Sequence, residues 1–314
     1  MRSFLFIRAQ TVLLSLLIAV TITFAVLRVI PGDAVTDTLT RSGASPSLIA
    51  ERRAALRLDQ AWWVQYGQLI GGLLRGDLGL SLMSGRPVAE MLGEQFGATV
   101  VLAAGALVIA VVLGVGGGAI LALAEPGPLR NTASVLASLS LASPVYWTGT
   151  LAIYLCSVQL RWLPSTGSGV SLRHLLLPWL VLGFSISGSI ARVTAASLAD
   201  VRKADFIRTA RAKGLRERLV LLRHTLRPAI TSVVAIIALQ AGFLLGGAVV
   251  TEILFVRQGM GQVMMRAVYE RDFTVVQGAV IVSALLYSLA SAAADLIAVW
   301  LDPRVRFTLL PDRL

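Results

Sequence analysis

Cysteine occurs once in these 314 residues, and histidine and lysine twice each. A single cysteine, Cys156, excludes an internal disulfide and a cysteine zinc site. His174 and His224 lack zinc-ligand spacing and lie in different parts of the chain, so they form no common site. The lysines, Lys203 and Lys213, follow Arg202 and Ala212 rather than glycine. A phosphate-binding loop needs Gly-Lys, so this chain has none. Ser185, Ser187 and Ser189 have no base placed to activate a nucleophile. The expectation is a chain with no catalytic residues, no cofactor and no metal. Charge is scarce too: 14% of residues are charged against 56% hydrophobic. So few charges cannot cover a soluble domain, but a chain dissolved in lipid needs no such cover.

Long apolar runs are what the sequence has instead. About 20 apolar residues in a helix span the hydrocarbon core. Six runs qualify, at roughly 9–30, 98–123, 133–156, 175–198, 229–251 and 275–301. The fold class read from them is all-α, an integral membrane protein of six transmembrane helices. The first run follows Arg2 and Arg8 and exceeds a signal-peptide core, with no small-residue cleavage site after it, so it is read as a retained helix. The fourth is the least apolar, diluted by its three serines and Arg192. Glycines gather in the second run (Gly114, Gly116, Gly117, Gly118) and the fifth (Gly242, Gly246, Gly247). They are read first as helix-packing surfaces, with a hinge or pore-lining role second.

The formal charge of +11 is explained by topology. Ten basic residues crowd Arg192 to Arg227, opposed by Asp200, Asp205 and Glu217. The excess of arginine and lysine places this loop in the cytoplasm, and six spans then put both termini there. Arg304, Arg306 and Arg313 near the end agree. Nucleic acid is excluded as a partner, because no basic patch is interleaved with aromatics. The segment from Pro31 to Gly97 lies outside, and is too long for a connector. Leu69, Leu73, Leu74 and Leu78 suggest a short amphipathic helix broken by glycines, with Trp62, Trp63 and Tyr66 at the interface; a cap over a channel mouth and a plain interfacial loop fit equally.

Within the basic loop, Asp205-Phe-Ile-Arg-Thr-Ala-Arg-Ala-Lys-Gly214-Leu215 has helical spacing, with Phe206, Ile207 and Ala210 assigned to one face. Gly214 stands where a helix end takes a left-handed residue, and cations crowd the last turn. A second helix runs through Leu219 to Leu226, and Pro228 sits near the next span's start. The stretch reads as a helix–glycine–helix elbow, though a solvated basic loop that only sets topology explains the composition as well.

This stretch resembles the EAA motif of binding-protein-dependent ABC importer permeases, Glu-Ala-Ala, three residues, then Gly. Here those positions are Arg208-Thr209-Ala210 and Gly214, a departure at the acidic residue and the first alanine. The wording Asp205 to Leu215 is similar to the dipeptide, oligopeptide and nickel permease subfamily. In order along the chain agree Pro31-Gly32-Asp33, Gly76-Asp77-Leu78-Gly79, Ser84-Gly85-Arg86-Pro87-Val88, Gly259-Met260-Gly261, Arg271-Asp272, Val276-Gln277-Gly278 and Leu301-Asp302-Pro303-Arg304.

The resemblance implies a type I ABC importer permease of the "B" kind in the bacterial inner membrane, forming half of a translocation pathway. Its partners would be a homologous permease, two ABC ATPase subunits that hydrolyse the ATP, an external substrate-binding protein and membrane lipid. Asp205, Phe206, Ile207, Arg208, Thr209, Ala210, Arg211, Ala212, Lys213, Gly214 and Leu215 would couple to the ATPase, with Phe206, Ile207 and Leu215 as anchors in an apolar groove. The implied division is 1–30 first helix, 31–93 external segment, 94–301 transmembrane core with the coupling loop 199–228, and 302–314 cytoplasmic tail. Peptides are the favoured cargo, with nickel or metal chelates in the same class. Asp295 is the one acid seen well inside an apolar run, read as half of an ion pair with Arg192 or another cation, with a place on the pathway as the alternative. A self-sufficient secondary transporter or channel is the rival reading, but no internal repeat supports it.

Overall fold

In the computed structural model the described residues are 2–29, 36, 39–40, 43–56, 58–167 and 171–301, without the side chains of 2–5 and 247. The Pro31-Gly32-Asp33 motif, Asp302-Pro303-Arg304 and the tail 302–314 lie outside them. Among the described residues every regular element is a helix, joined by turns and loops, and the one strand-like feature is an isolated bridge between Leu80 and Pro87.

The first span is α1 (Arg2–Val29). Outside the core follow α2 (Pro46–Ala55) and α3 (Trp62–Leu73). Contrary to the sequence expectation, the glycines do not break α3; it runs through Gly67, Gly71 and Gly72 and ends only before Gly76, where φ is 76°. It leans on α1: the Tyr66 ring meets Phe24 edge-on at 5.3 Å, and its hydroxyl lies 2.7 Å from that of Thr21. Arg28, at the end of α1, turns back onto its surroundings. It donates to Gln65 and lies 5.0 Å over the Phe24 ring.

The core is built on α4 (Val88–Leu123) packed along α7 (Leu172–Lys203). Small residues set their spacing. A Cβ on Gly114 would strike Ile190 at 2.6 Å, and one on Gly183 would strike the Ala106 carbonyl at 2.7 Å. Close backbone approach of this kind is how helices gain packing where no water drives them together. Gly242 does the same against Ala290, which its Cβ would meet at 2.8 Å, whereas a Cβ on Gly246 would make only ordinary contact with Ser283 at 3.5 Å. The packing reading holds for Gly114 and Gly242; Gly116 instead has open space above it.

The fourth span, α7, is the most buried of the candidate spans, 61% of its apolar window against 33% for the next. Its serines therefore need no solvent. Ser185, Ser187 and Ser189 bond back to the carbonyls three residues earlier at 2.7–2.8 Å, satisfying themselves on their own helix.

The third span is not one rod. It forms α5 (Pro128–Ala142) and α6 (Val145–Ala152), bent by 113° between them, and α6 continues as a π-helical turn to Gln159. Ser143 is extended (ψ 124°) because the residue before a proline is pushed out of the helical region. Pro178, by contrast, sits inside α7 without ending it.

The chain next forms the short helix α8 (Asp205–Ala212) and α9 (Glu217–Leu219), a π-turn over Val220–Thr225, and the fifth span α10 (Leu226–Gly247). Two helices the apolar pattern did not announce, α11 (Val249–Leu254) and α12 (Met260–Tyr269), precede the last span α13 (Phe273–Leu301). Arg8 meets Asp295 at 2.7 Å, so the start of α1 lies beside the end of α13. The partner of Asp295 is Arg8 rather than Arg192. The Arg202 guanidinium donates to the Ala122 carbonyl at 2.8 Å, placing the last turn of α4 at the elbow end of α7.

Candidate functional site

Two constellations stand at opposite ends of this bundle. The first is the elbow. Helix α8 closes with a Schellman arrangement: the Gly214 N–H donates to the Arg211 carbonyl at 2.9 Å and the Leu215 N–H to the Ala210 carbonyl at 3.3 Å. Gly214 takes φ 74°, the left-handed conformation that this cap needs and that other residues resist. Arg211 reaches across the turn to Glu217 with two bonds, Nε to Oε2 at 3.1 Å and Nη2 to Oε1 at 2.6 Å. Glu217 holds the Arg211 guanidinium above its ordinary pKa, chiefly through that hydrogen bond. The clamp is solvent-exposed, so it shapes the turn more than it stabilises the fold.

The faces of α8 differ from the sequence expectation. Ile207 is fully buried and Ala210 nearly so, in a cluster with Val220 and the half-buried Val201. Phe206 is 48% exposed and therefore does not share their face. Asp205, Arg208, Thr209, Arg211, Ala212, Lys213, Gly214 and Leu215 are exposed as well. Ile207 thus anchors the elbow to its own chain and is no anchor for a partner. A helical period alone could not decide which face turned home, because that depends on where α7 and the π-turn place Val201 and Val220.

The second constellation was not foreseen. Glu252 is 1% exposed and its carboxylate accepts the Thr99 hydroxyl at 2.7 Å and the Gly261 and Gln262 amides at 2.8 and 3.2 Å. It thereby caps α12, satisfying amides that have no partner inside that helix. Gly259-Met260-Gly261 is the cradle. A Cβ on Gly259 would fall inside the carboxylate of Glu252, and one on Gly261 would meet the Val249 Cα at 2.6 Å. Arg257, 4% exposed, reaches the Gly167 and His174 carbonyls at 3.3 and 3.4 Å.

Asp272 plays the same part for α13. It accepts from the Ser81 hydroxyl at 2.6 Å and from the Leu82, Met83 and Val275 amides at 3.2–3.4 Å. The turn from Gly79 to Val88 is thereby pinned to the start of the last span. Gly79 (φ 84°) lies against Thr274, and Gly278 against Val88. A sequence signal existed for one of the two carboxylates. Asp272 stands directly before the start of α13, the place of a capping residue, whereas Glu252 lies inside α11, seven residues before Gly259, and reaches the start of α12 only through the fold.

No group of three or more His, Cys, Asp or Glu among the described residues is placed to hold a metal ion.

The model of the family described as binding-protein-dependent transport system inner membrane component matches residues 114–307, which include the elbow, Glu252 and Asp272. The chain belongs to that family. The permease is 31% identical over 328 residues to the dipeptide transport system permease protein DppB of Alkalihalophilus pseudofirmus, covering 96% of this chain and 98% of that one. It is 36% identical over 293 residues to the glutathione transport system permease protein GsiC of Pectobacterium atrosepticum, covering 93% and 95%. A chain of the MetNI methionine ABC transporter in an inward-facing conformation matches with a TM-score of 0.57 at 19% identity, over 67% of this permease and 96% of that chain. That likeness concerns the fold alone. The permease is a multi-pass transport subunit, and membership of this family removes the self-sufficient secondary transporter.

Proposed function

We propose that this permease is one of two transmembrane subunits of an ATP-driven importer of short peptides, and that the elbow Asp205–Leu215 is where ATPase subunits push on it. The cargo is supported by the names of two relatives that match nearly the whole chain, one a dipeptide permease and one a glutathione permease. The other parts of the machine would be a homologous permease, two ABC ATPases and an external substrate-binding protein. The positive-inside pattern puts the elbow and both termini in the cytoplasm, with 31–93 outside and 94–301 as the transport core.

The observation that carries the coupling role is the two-faced build of α8. Ile207 and Ala210 fasten it to Val201 below the fourth span and Val220 at the start of the fifth. The other face offers exposed Phe206, with Leu215 beyond the glycine. A helix laid into a groove by an apolar face gains most of its affinity there. The surrounding arginines would orient it and speed encounter. A push on a helix so fastened moves two spans together, which is what a switch between inward and outward openings needs.

Cysteine placed at 206 or 209 tests this, by cross-linking to the ATPase subunits in membranes. We expect cross-links whose yield changes with ATP. Their absence, with both positions still open to a cytoplasmic thiol reagent, would refute the coupling role.

A further inference from the structure

At the end remote from the elbow, a cavity of about 580 Å³ opens between the first turns of α4 and helix α12. Gln95 lies 27 residues before Ala122, about 40 Å along α4 from the elbow end. Three of the lining residues are glutamines, Gln95, Gln258 and Gln262, joined by Arg266, Tyr269 and Glu270. A second cavity of about 320 Å³ shares Gln95, Arg266 and Glu270 with it and adds Arg86 and Glu94. Among the described residues, none of the three glutamine side chains is hydrogen-bonded within the chain. The floor is rigid, because Gln262 gives its backbone amide to buried Glu252 and α12 is held by the Gly259–Gly261 cradle.

The chemistry of this wall is selective. A side-chain amide donates and accepts at once, as a peptide bond does. The charged members come as ion pairs, Arg266 with Glu270 at 2.9 Å and Arg86 with Glu94 at 2.6 Å. Such exposed pairs are weak, so each partner can be exchanged for one end of a zwitterion. Together the two cavities fall in the size range of small-ligand sites.

We propose that this amide-lined cavity is the first subsite the cargo occupies on the permease. The three glutamines pair with the peptide main chain, while Arg266 and Glu270 receive its carboxylate and ammonium ends. The subsite rests on the peptide reading above and extends it. It reads the backbone and ignores the side chains, so it suits a transporter of mixed short peptides. Its loss leaves the ATPases cycling without moving cargo.

The test uses the complete transporter in proteoliposomes, with both permeases, the ATPases and saturating binding protein loaded with a radiolabelled tripeptide. The readout is peptide accumulated per ATP hydrolysed. In a Gln95→Leu/Gln262→Leu double variant this ratio should fall about tenfold, as expected when two hydrogen bonds are lost. The Gln95→Asn/Gln262→Asn variant, which keeps the amides, should recover part of it. An unchanged ratio in the leucine variant overturns the subsite. So does a parallel fall of uptake and hydrolysis, which would mark a docking surface for the binding protein or a folding defect. Wild-type transporter that hydrolyses ATP yet accumulates no peptide would overturn the substrate reading itself, and the subsite with it.

Discussion

The contact between Gly259 and Glu252 can be measured by a double-mutant cycle. Gly259 has φ −178°, extended backbone that any residue adopts. Its replacement by alanine therefore carries no conformational penalty, and the whole cost is steric. The added Cβ falls inside the Glu252 carboxylate, which three donors hold in place. Overpacking of this kind costs about 1–3 kcal/mol. Glu252→Ala alone leaves the Thr99 hydroxyl proton and two amides without an acceptor and removes the negative charge that acts on buried Arg257, a loss of about 3–5 kcal/mol. In that background the carboxylate is gone and Gly259→Ala meets open space. The second substitution should then cost almost nothing, a favourable coupling of about 2 kcal/mol. The assay is the thermal unfolding midpoint of the detergent-purified permease for the four members of the cycle. Equal shifts from Gly259→Ala in both backgrounds would show that the glycine serves something other than room for this carboxylate.

Three further outcomes follow from the same geometry. Gly214→Val should cost about 2 kcal/mol of local strain at φ 74°, abolishing ATP-driven uptake while the subunit remains in the membrane; normal uptake would remove the elbow from the mechanism. Ile207→Ala should destabilise the purified permease by about 2–4 kcal/mol because its side chain is fully buried, a loss read as a lower unfolding midpoint, whereas Phe206→Ala should leave that midpoint in place and weaken ATPase co-purification. Asp295→Asn should lower the amount of folded protein, and the charge exchange Arg8→Asp/Asp295→Arg should restore it if the 2.7 Å pair is structural; folded, abundant Asp295→Asn that no longer transports would place the carboxylate on the pathway instead.

Several features are legible in the sequence alone. The membrane class, the approximate positions of the spans and the helix stop at Gly214 follow from composition, run length and local spacing. These properties belong to segments of one to three dozen residues and hardly depend on what packs beside them. The family motifs were visible as strings, but their purpose was not. Gly259-Met260-Gly261 becomes a carboxylate cradle only when Glu252 lies over it, and Asp272 a fastening only when Ser81, 191 residues earlier, comes within 2.6 Å.

The burial of the fourth span shows the same division from the other side. By composition it looked the weakest, yet its serines and glycines suit it to the centre, where α4, α5 and α10 shield it from lipid. The inward turn of Ile207, the 113° break at Ser143–Pro144 and the pairing of Asp295 with Arg8 were likewise decided by tertiary structure. A sequence period says that a helix has two faces. Which face is buried depends on long-range neighbours, and in a membrane both lipid and protein welcome the same apolar residues, so hydropathy alone cannot choose between them.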